Sequence, residues 1–567
     1  MNTQNNRFFL LAAIMLLGSL LYNAWVQDKT LDASVSATEA SRSLSDPEGL
    51  NAANVPGRQD IPKVLSATQT VEEQIPGSTL PHRHHTAEVV HVKTDVLELD
   101  LDTVGGDIRK LVLLNYAQSE DKPQQGFSLL EDSSKRYYIA QSGLASEFGP
   151  DIHGRGRAKL TASASDFVLE DGRHELIVDL HAPVIHGLKI TKRFVFERGS
   201  YAIKVQYLID NKSKENYTGS FYARLKRKEV EQASSGFLGV QTFTGAAVYT
   251  PETPFKKITF KDMNKKSFEQ SVDGGWAAMV EQYFVAAWIP TKESKSLYQA
   301  SKDQGIYSVG FVKNPVVVPA GEQGLISSML YAGPEIVETL GVLGSGLEFA
   351  VDYGILWPLC QPIFWLLKKM FLFSENWGIA IILTTFLIKG LFYKLSASSY
   401  RSMGNMRAMQ PKMEALKVRY AEDKQKLSQA MMELYKKEKI NPFGGCLPVL
   451  VQIPVFISLY YVLLGSVELR EAPFFAWIID LSLKDPYYVL PILMGASMLI
   501  QQKLNPAPAD PMQAKVMMFM PVVFTVMFLN FPAGLVLYWF VNNVLSILQQ
   551  WFITRSIEKS AGGHVAK

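Results

Sequence analysis

Residues 378–395 read GIAIILTTFLIKGLFYKL, a run apolar enough to cross a bilayer that nevertheless carries Lys389 about two-thirds of the way along. A chain keeps an ammonium group inside such a run only where water, a partner or a nearby interface receives it, and ionisable residues in spans mark function by default. The class of the whole protein turns on what surrounds that lysine.

The 567 residues have a formal net charge of +3 and 47% hydrophobic content, and a mean hydropathy of +0.04 averages two regions of different character. Arg7 to Trp25 (RFFLLAAIMLLGSLLYNAW) has the length of a membrane span. A cleavable signal wants a small-residue site just past its apolar run, whereas this run passes through Tyr22, Asn23 and Trp25 into VQDKT, so residues 1–29 read as an uncleaved anchor. Arg7 precedes the anchor while Asp28 and Asp32 with Lys29 follow it, which puts the N-terminus in the cytoplasm. Residues 30–86 lack any helical or strand period and read as a disordered linker. Its last stretch, PHRHHT, contains His82, His84 and His85, but no Cys or carboxylate set stands at ligand spacing, and no metal site is expected.

From 87 to 345 the pattern is alternation. Leu188, Ile190, Phe194 and Phe196 share one face, as do Tyr201, Ile203, Val205, Tyr207 and Ile209, and turn signals VGGD, EDGR, ERGS, DNKS and VDGG separate such runs. This predicts one all-β sandwich outside the membrane. His153, His174, His181 and His186 are scattered, with no carboxylate fixed near them, so no catalytic site is expected there. Cys360 and Cys446, the chain's two cysteines, exclude a disulfide framework.

Beyond the sandwich, charge decides topology. Residues 396–441 carry ten Lys/Arg against five Asp/Glu, an excess that belongs in the cytoplasm. If 355–373 and 378–395 both crossed, that segment would share a side with the sandwich. Residues 346–374, with Pro358, Pro362 and the Lys368-Lys369 pair, therefore read as an amphipathic helix on the outer interface. Spans are expected at 378–395 and near 446–465, 487–502, 516–531 and 533–553, six with the anchor, leaving both termini inside. The core is 375–555 and the basic tail 556–567. Several spans are short, and two hold Pro491 and Pro521, which implies a thinned bilayer around them.

On this topology Lys389 lies roughly 9 Å from the inner end of its helix at Leu395, at ~1.5 Å per residue. Gln452 lies at a similar depth in the next span, Thr385 one turn before Lys389 on its face, and Asn542 and Asn543 near the middle of the last span. Polar groups from three helices in the inner half of the membrane predict a wet cavity. Tyr400 to Tyr420 and Lys424 to Lys437, joined near Ala421, show helical periods in Met403, Met406, Met413 and Leu416 and in Leu427, Met431 and Leu434. They predict an antiparallel hairpin within 396–441.

The stretches NWGIAIILTTFLIKGLFYKLSASSYRSMGNMRAMQPKMEALK, INPFGGCLPVLVQIPVFISLYYVLLGSVELREAPFFAWIIDLSLKDPYYVLPILMG and MPVVFTVMFLNFPAGLVLYWFVNN resemble the YidC/Oxa/Alb family of membrane protein insertases. The anchor plus large β domain resembles its Gram-negative branch, with a periplasmic supersandwich domain. The resemblance implies an ATP-independent insertase and chaperone of the bacterial inner membrane, acting alone or with the Sec translocon and using no cofactor. Consistently, no GxxxxGK[ST] loop occurs in the chain. It also implies a substrate groove of Lys389, Thr385, Gln452, Tyr538, Trp539, Asn542 and Asn543, and a greasy slide of Phe456, Tyr460, Met527 and Phe528. Arg401, Arg407, Lys412, Met403 and Met406 on the hairpin would then recruit nascent membrane proteins together with ribosomes or targeting factors, and basic faces suit anionic membrane lipids. No sequence-specific nucleic-acid binding follows. The chain departs from the family where arginine is usual: Lys389 is a point charge without the bidentate fork. A sugar enzyme built on the sandwich has no motif to support it, and a transporter would want pseudo-symmetric halves that the sequence lacks.

Overall fold

The computed structural model describes residues 88–562 apart from 120–121, 153–155, 230–242, 292–294, 421–422, 438–446 and 506–510. The anchor, the linker with its histidines, His153, Cys446, the turn at Ala421 and the last residues of the tail lie outside the described residues.

Strands run from Val89–Lys93 to Gln323–Pro334 and form two sheets, of 13 and 9 strands. Alternation is the reason. Leu188–Glu197 pairs antiparallel with Ala202–Asn211, bringing Ile190 opposite Ile209, Phe194 opposite Val205 and Phe196 opposite Ile203, and all six side chains are buried. The two sheets bury one apolar core between them, with Leu99, Leu111 and Phe221 from the larger and Phe194, Trp288 and Leu330 from the smaller. One short helix, Phe260–Lys265, interrupts the strands, closed by a capping box between Thr259 and Asp262.

Lys192 stands on the inward face of Leu188–Glu197, where the alternation calls for an apolar residue. Its Nζ donates to the carbonyl oxygens of Gly105, Gly106 and Ser142 at 2.7–3.0 Å. Beside it Arg157 grips both carboxylate oxygens of Asp107 at 2.5 Å and donates from Nε to Asp151. Burial opposes the charge on Asp107, but Arg157, Lys192 and Arg109 outweigh it and hold the carboxyl below its ordinary range. The same burial pushes the Lys192 ammonium down to about 7, against the attraction of Asp107.

The helical region follows. We label α1 Trp357–Ser374, α2 Trp377–Leu391, α3 Tyr393–Ala408, α4 Gln410–Arg419, α5 Lys424–Lys437, α6 Leu447–Gly465, α7 Val489–Leu504, α8 Pro511–Phe528 and α9 Ala533–Gly562. α9 is the hub, packing against α2, α3, α6 and α7, while α8 leans on α7 and α1 on α2 and α6. α1 is two-faced: Cys360 and Leu367 are fully buried, and Trp365 and Phe373 are exposed.

Two expectations are corrected. Residues 378–395 are not one helix: α2 ends at Leu391, Phe392 leaves helical geometry, and α3 departs at 69°. Gly390, which gives the backbone its freedom, stands where the helix fails. The first helix of the expected hairpin is likewise split at Met409, because Pro411 at the start of α4 cannot continue the hydrogen bonding of α3. Among the described residues no single helix is long and apolar enough to cross a membrane, and the bent pair Trp377–Leu391 with Tyr393–Met406 passes that test together.

Sandwich and helices are locked by the turn after α6. Val467 is buried within the sandwich core, and the Arg470 guanidinium lies 5.4 Å from the ring of Phe127 and 5.5 Å from that of Phe284 while donating to the Ala117 carbonyl at 2.6 Å.

Replacing Arg157 with Ala leaves Asp107 buried without its partner, and a loss of about 3–5 kcal/mol is expected; thermal unfolding of the detergent-solubilised chain at neutral pH, followed by its β-sheet signal, measures it. Because the folded-state pKa of Asp107 is depressed, its stabilisation is present above the ordinary value of 3.8 and is lost as pH falls through the folded value.

Candidate functional site: a polar cluster shared by four helices

Lys389 lies in the last turn of α2, closer to its end than a helix running to Leu395 would place it. Its side chain is buried, 8% exposed, and Nζ donates to Ser546 Oγ on α9 at 2.6 Å. Ser546 Oγ donates onward to the Asn542 carbonyl at 2.7 Å. Asn542 Nδ2 donates to Gln452 Oε1 on α6 at 3.2 Å, and Asn543 Nδ2 donates to Ser497 Oγ on α7 at 3.1 Å. One turn beyond Ser546, Gln550 Nε2 reaches the Leu504 carbonyl at the end of α7. The cluster thus joins α2, α6, α7 and α9, and all the partners named are neutral.

Local sequence explains the convergence. Asn542, Ser546 and Gln550 recur every four residues along α9 and so share a face, with Asn543 beside them. Gly495 on α7 allows close approach to α8, since an added methyl would meet Thr525 Oγ1 at 2.0 Å. Pro454 and Pro521 interrupt α6 and α8, and Ser458 and Thr525, four residues on, donate to the prolines' own carbonyls at 2.8 and 2.7 Å.

The expected groove residues separate three ways. Lys389, Gln452, Asn542 and Asn543 meet in the polar cluster. Thr385 does not join it, because its hydroxyl donates to the Ile381 carbonyl of its own helix at 2.7 Å. Tyr538 and Trp539 belong to an aromatic cluster with the expected slide: Phe456 lies 4.6 Å edge-on to Trp539, 6.4 Å from Tyr538 and 6.0 Å from Phe528. Tyr460 packs on Phe531 at 5.6 Å. Phe528 is 1% exposed and Met527 half-buried, so Phe528 is turned inward. Exposed apolar surface lies instead on the other face of α8, at Met518, Phe519 and Val523.

Of the residues expected to recruit substrates, Arg401 and Lys412 are exposed and Met406 is half-buried. Arg407 lies on α3. Met403 packs against Ala397, Tyr400 and Ile553, joining α3 to α9. Met413 and Met431 are buried on the paired helices α4 and α5. In the sandwich, the His181 ring hydrogen-bonds the Thr191 hydroxyl at 3.0 Å, and no metal-binding group of His, Cys, Asp and Glu occurs among the described residues.

Ser546 and Ser497 escaped the sequence reading. The signal was available: Ser546 stands four residues after Asn542 on the face that carries Gln550.

A buried cation in a cluster of neutral groups, on a helical core with exposed apolar faces, bearing a large two-sheet domain, defines a membrane protein with a substantial extramembrane part. Comparison with known proteins places it further. Residues 369–560 match the family described as 60Kd inner membrane protein, and residues 89–366 match the YidC periplasmic domain. A membrane protein insertase YidC of Pseudomonas putida (strain W619) is 49% identical over 97% of this chain and 98% of its own length. One from Stutzerimonas stutzeri (strain A1501) is 48% identical over 98% of this chain and 99% of its own. The crystal structure of an active YidC insertase with its first transmembrane domain resolved aligns at a TM-score of 0.37 and 17% identity, covering 82% of this chain and 93% of that one. The chain belongs to the YidC family: it is an inner-membrane protein with a sheet-rich periplasmic domain and a helical C-terminal region.

Substituting Gly495 by Val should force α7 from α8 and cost about 1–3 kcal/mol; a drop in the melting temperature of the solubilised chain, with the sandwich strands retained by circular dichroism, is the expected reading.

Proposed function

We propose that this protein is an ATP-independent insertase and chaperone, which receives nascent membrane proteins at a hydrophilic groove in the cytoplasmic leaflet and delivers them into lipid, alone or beside the Sec translocon. The observation that carries the reading is the buried ammonium of Lys389 held by the hydroxyl of Ser546, within a chain of the YidC family. A cation with a neutral partner keeps its charge available to an incoming carboxylate, which a buried ion pair would cancel.

The mechanism follows from electrostatics and transfer energy. A charge at the centre of a span costs about 2.5–3.5 kcal/mol on insertion scales, so a polar tail crossing dry hydrocarbon meets several such penalties. A hydrated pocket ending at Lys389 shortens the dry path, and the cation attracts the acidic tail into it. Partition of the substrate's apolar segment into lipid then drives release, so no covalent step and no nucleotide is required.

In this reading the chain crosses six times with both termini inside. α2, α6, α7, α8 and α9 are the five spans of the core, of which α2, α7 and α8, with 15, 16 and 18 residues, are short enough to thin the bilayer, and α1 lies on the outer interface. α4 and α5 form the cytoplasmic hairpin. Basic residues of this hairpin and of α3 beside it, Lys412 and Arg401 among them, meet anionic lipid headgroups and a ribosome or targeting factor. The slide for the substrate helix runs along Phe456 and Met527, the half-buried members of the expected set, with Tyr460 and Phe528 packed behind them.

The test is reconstitution in protein-free liposomes with a short single-span substrate bearing an acidic translocated tail. Lys389→Ala should lower insertion by roughly tenfold or more, given that opposite charges 4 Å apart at an effective dielectric of 20 attract by ~4 kcal/mol. Lys389→Arg should retain it. Undiminished insertion by the Ala variant removes Lys389 from the mechanism and the groove reading with it.

A further inference from the structure

The stem of a lysine so near a helix end is long enough to carry its ammonium out to the headgroups, and solvation there is the default outcome. In this structure it turns into the bundle instead. The acceptor it finds is held by its own partners: the Ser546 hydroxyl donates to the Asn542 carbonyl at 2.7 Å, shares a hydrogen bond with the Tyr400 hydroxyl and accepts from Nζ at 2.6 Å. α9 is held in rotation on both sides, by Gln452 bonded to Asn542 and by Ser497 bonded to Asn543. Ser546 is therefore aimed at Lys389 from the centre of the bundle.

We propose that Ser546 is the positioning residue of the groove, a neutral anchor that draws the Lys389 ammonium inward while leaving its charge uncancelled. This deepens the groove reading above and rests on it. The chemistry of the anchor matters. A carboxylate at this position would hold the ammonium more tightly but neutralise it, and an incoming acidic tail would then compete with a resident acid. A hydroxyl occupies one of the three ammonium donors and adds no charge, so a substrate carboxylate meets a cation already oriented. An alanine would leave the stem without its inward acceptor, and the ammonium would move toward the lipid phosphates. Arginine, with five donors in a planar fork, would not depend on one hydroxyl in this way; the serine belongs to the lysine solution of the site.

The test compares insertion of two single-span substrates in liposomes, one with an acidic translocated tail and one with the same tail carrying Asn and Gln, and reads the ratio between them. Ser546→Ala should lower that ratio roughly tenfold, as loss of a hydrogen bond to a charged group implies, to the level of Lys389→Ala. The double variant should be no lower than either single, Ser546→Thr should keep the ratio, and Ser546→Asp should lose it although the side chain is held. The neutral-tail substrate controls for folding and packing: equal loss on both substrates, or additive loss in the double variant, assigns Ser546 a merely structural role and overturns the proposal. So does an unchanged ratio in Ser546→Ala, or a retained ratio in Ser546→Asp, while Lys389→Ala loses it. If Lys389→Ala itself keeps the ratio, the groove reading falls first and this proposal falls with it.

Discussion

A single cation inside an apolar bundle constrains everything packed around it. Nitrogen carrying a full charge must be solvated by something, and here the solvent is protein: a serine hydroxyl backed by a carbonyl, within a network of amides and hydroxyls drawn from four helices. That requirement dictates that α9 run through the middle, because only a central helix can offer an acceptor to Lys389 on α2 and donors to Gln452 on α6 and Ser497 on α7 at once. It also explains why the polar residues of α9 follow a four-residue repeat rather than lying scattered. In a fold of this kind a helix face is devoted to holding a charge, and the apolar faces are left to the surroundings.

The sandwich was legible because its signal has period two and a buried side. Leu188 to Phe196 and Ile203 to Ile209 alternate strictly, and the register pairs them face to face. Lys192 broke the pattern in sequence and kept it in space, since a lysine can occupy an inward position when three carbonyls await it. The helices were visible as hydropathy, but their ends were not. Apolar residues continue through Phe392, Tyr393 and Leu395 past the point where α2 stops, and nothing in hydropathy distinguishes a straight run from a bent one. The polar cluster was half-legible: Lys389, Gln452, Asn542 and Asn543 stand out against an apolar background, whereas serines pass as ordinary helix residues. Thr385 shows the limit from the other side, a polar residue on the right face whose hydroxyl is spent on its own helix.

No local pattern announces the junction between sandwich and helices. Arg470 and Ala117 are 353 residues apart in sequence, and the contact between them depends on the whole intervening fold. Once made, it is specific. A guanidinium lying against the stacked pair of Phe127 and Phe284, with one donor on a strand carbonyl and Val467 seated in the sandwich core, fixes orientation as well as distance. The helix so fixed is α6, which carries Gln452 and Phe456.

The 69° bend after Leu391 has a mechanical meaning. Because α3 turns aside, Ala397 and Tyr400 close against Ile553 two turns along α9 from Ser546, and Met403 completes that seam. α3 is thus seated on the same rod that steadies the lysine. One continuous helix therefore fixes both the seat of α3, at Ile553, and the acceptor of the ammonium, at Ser546.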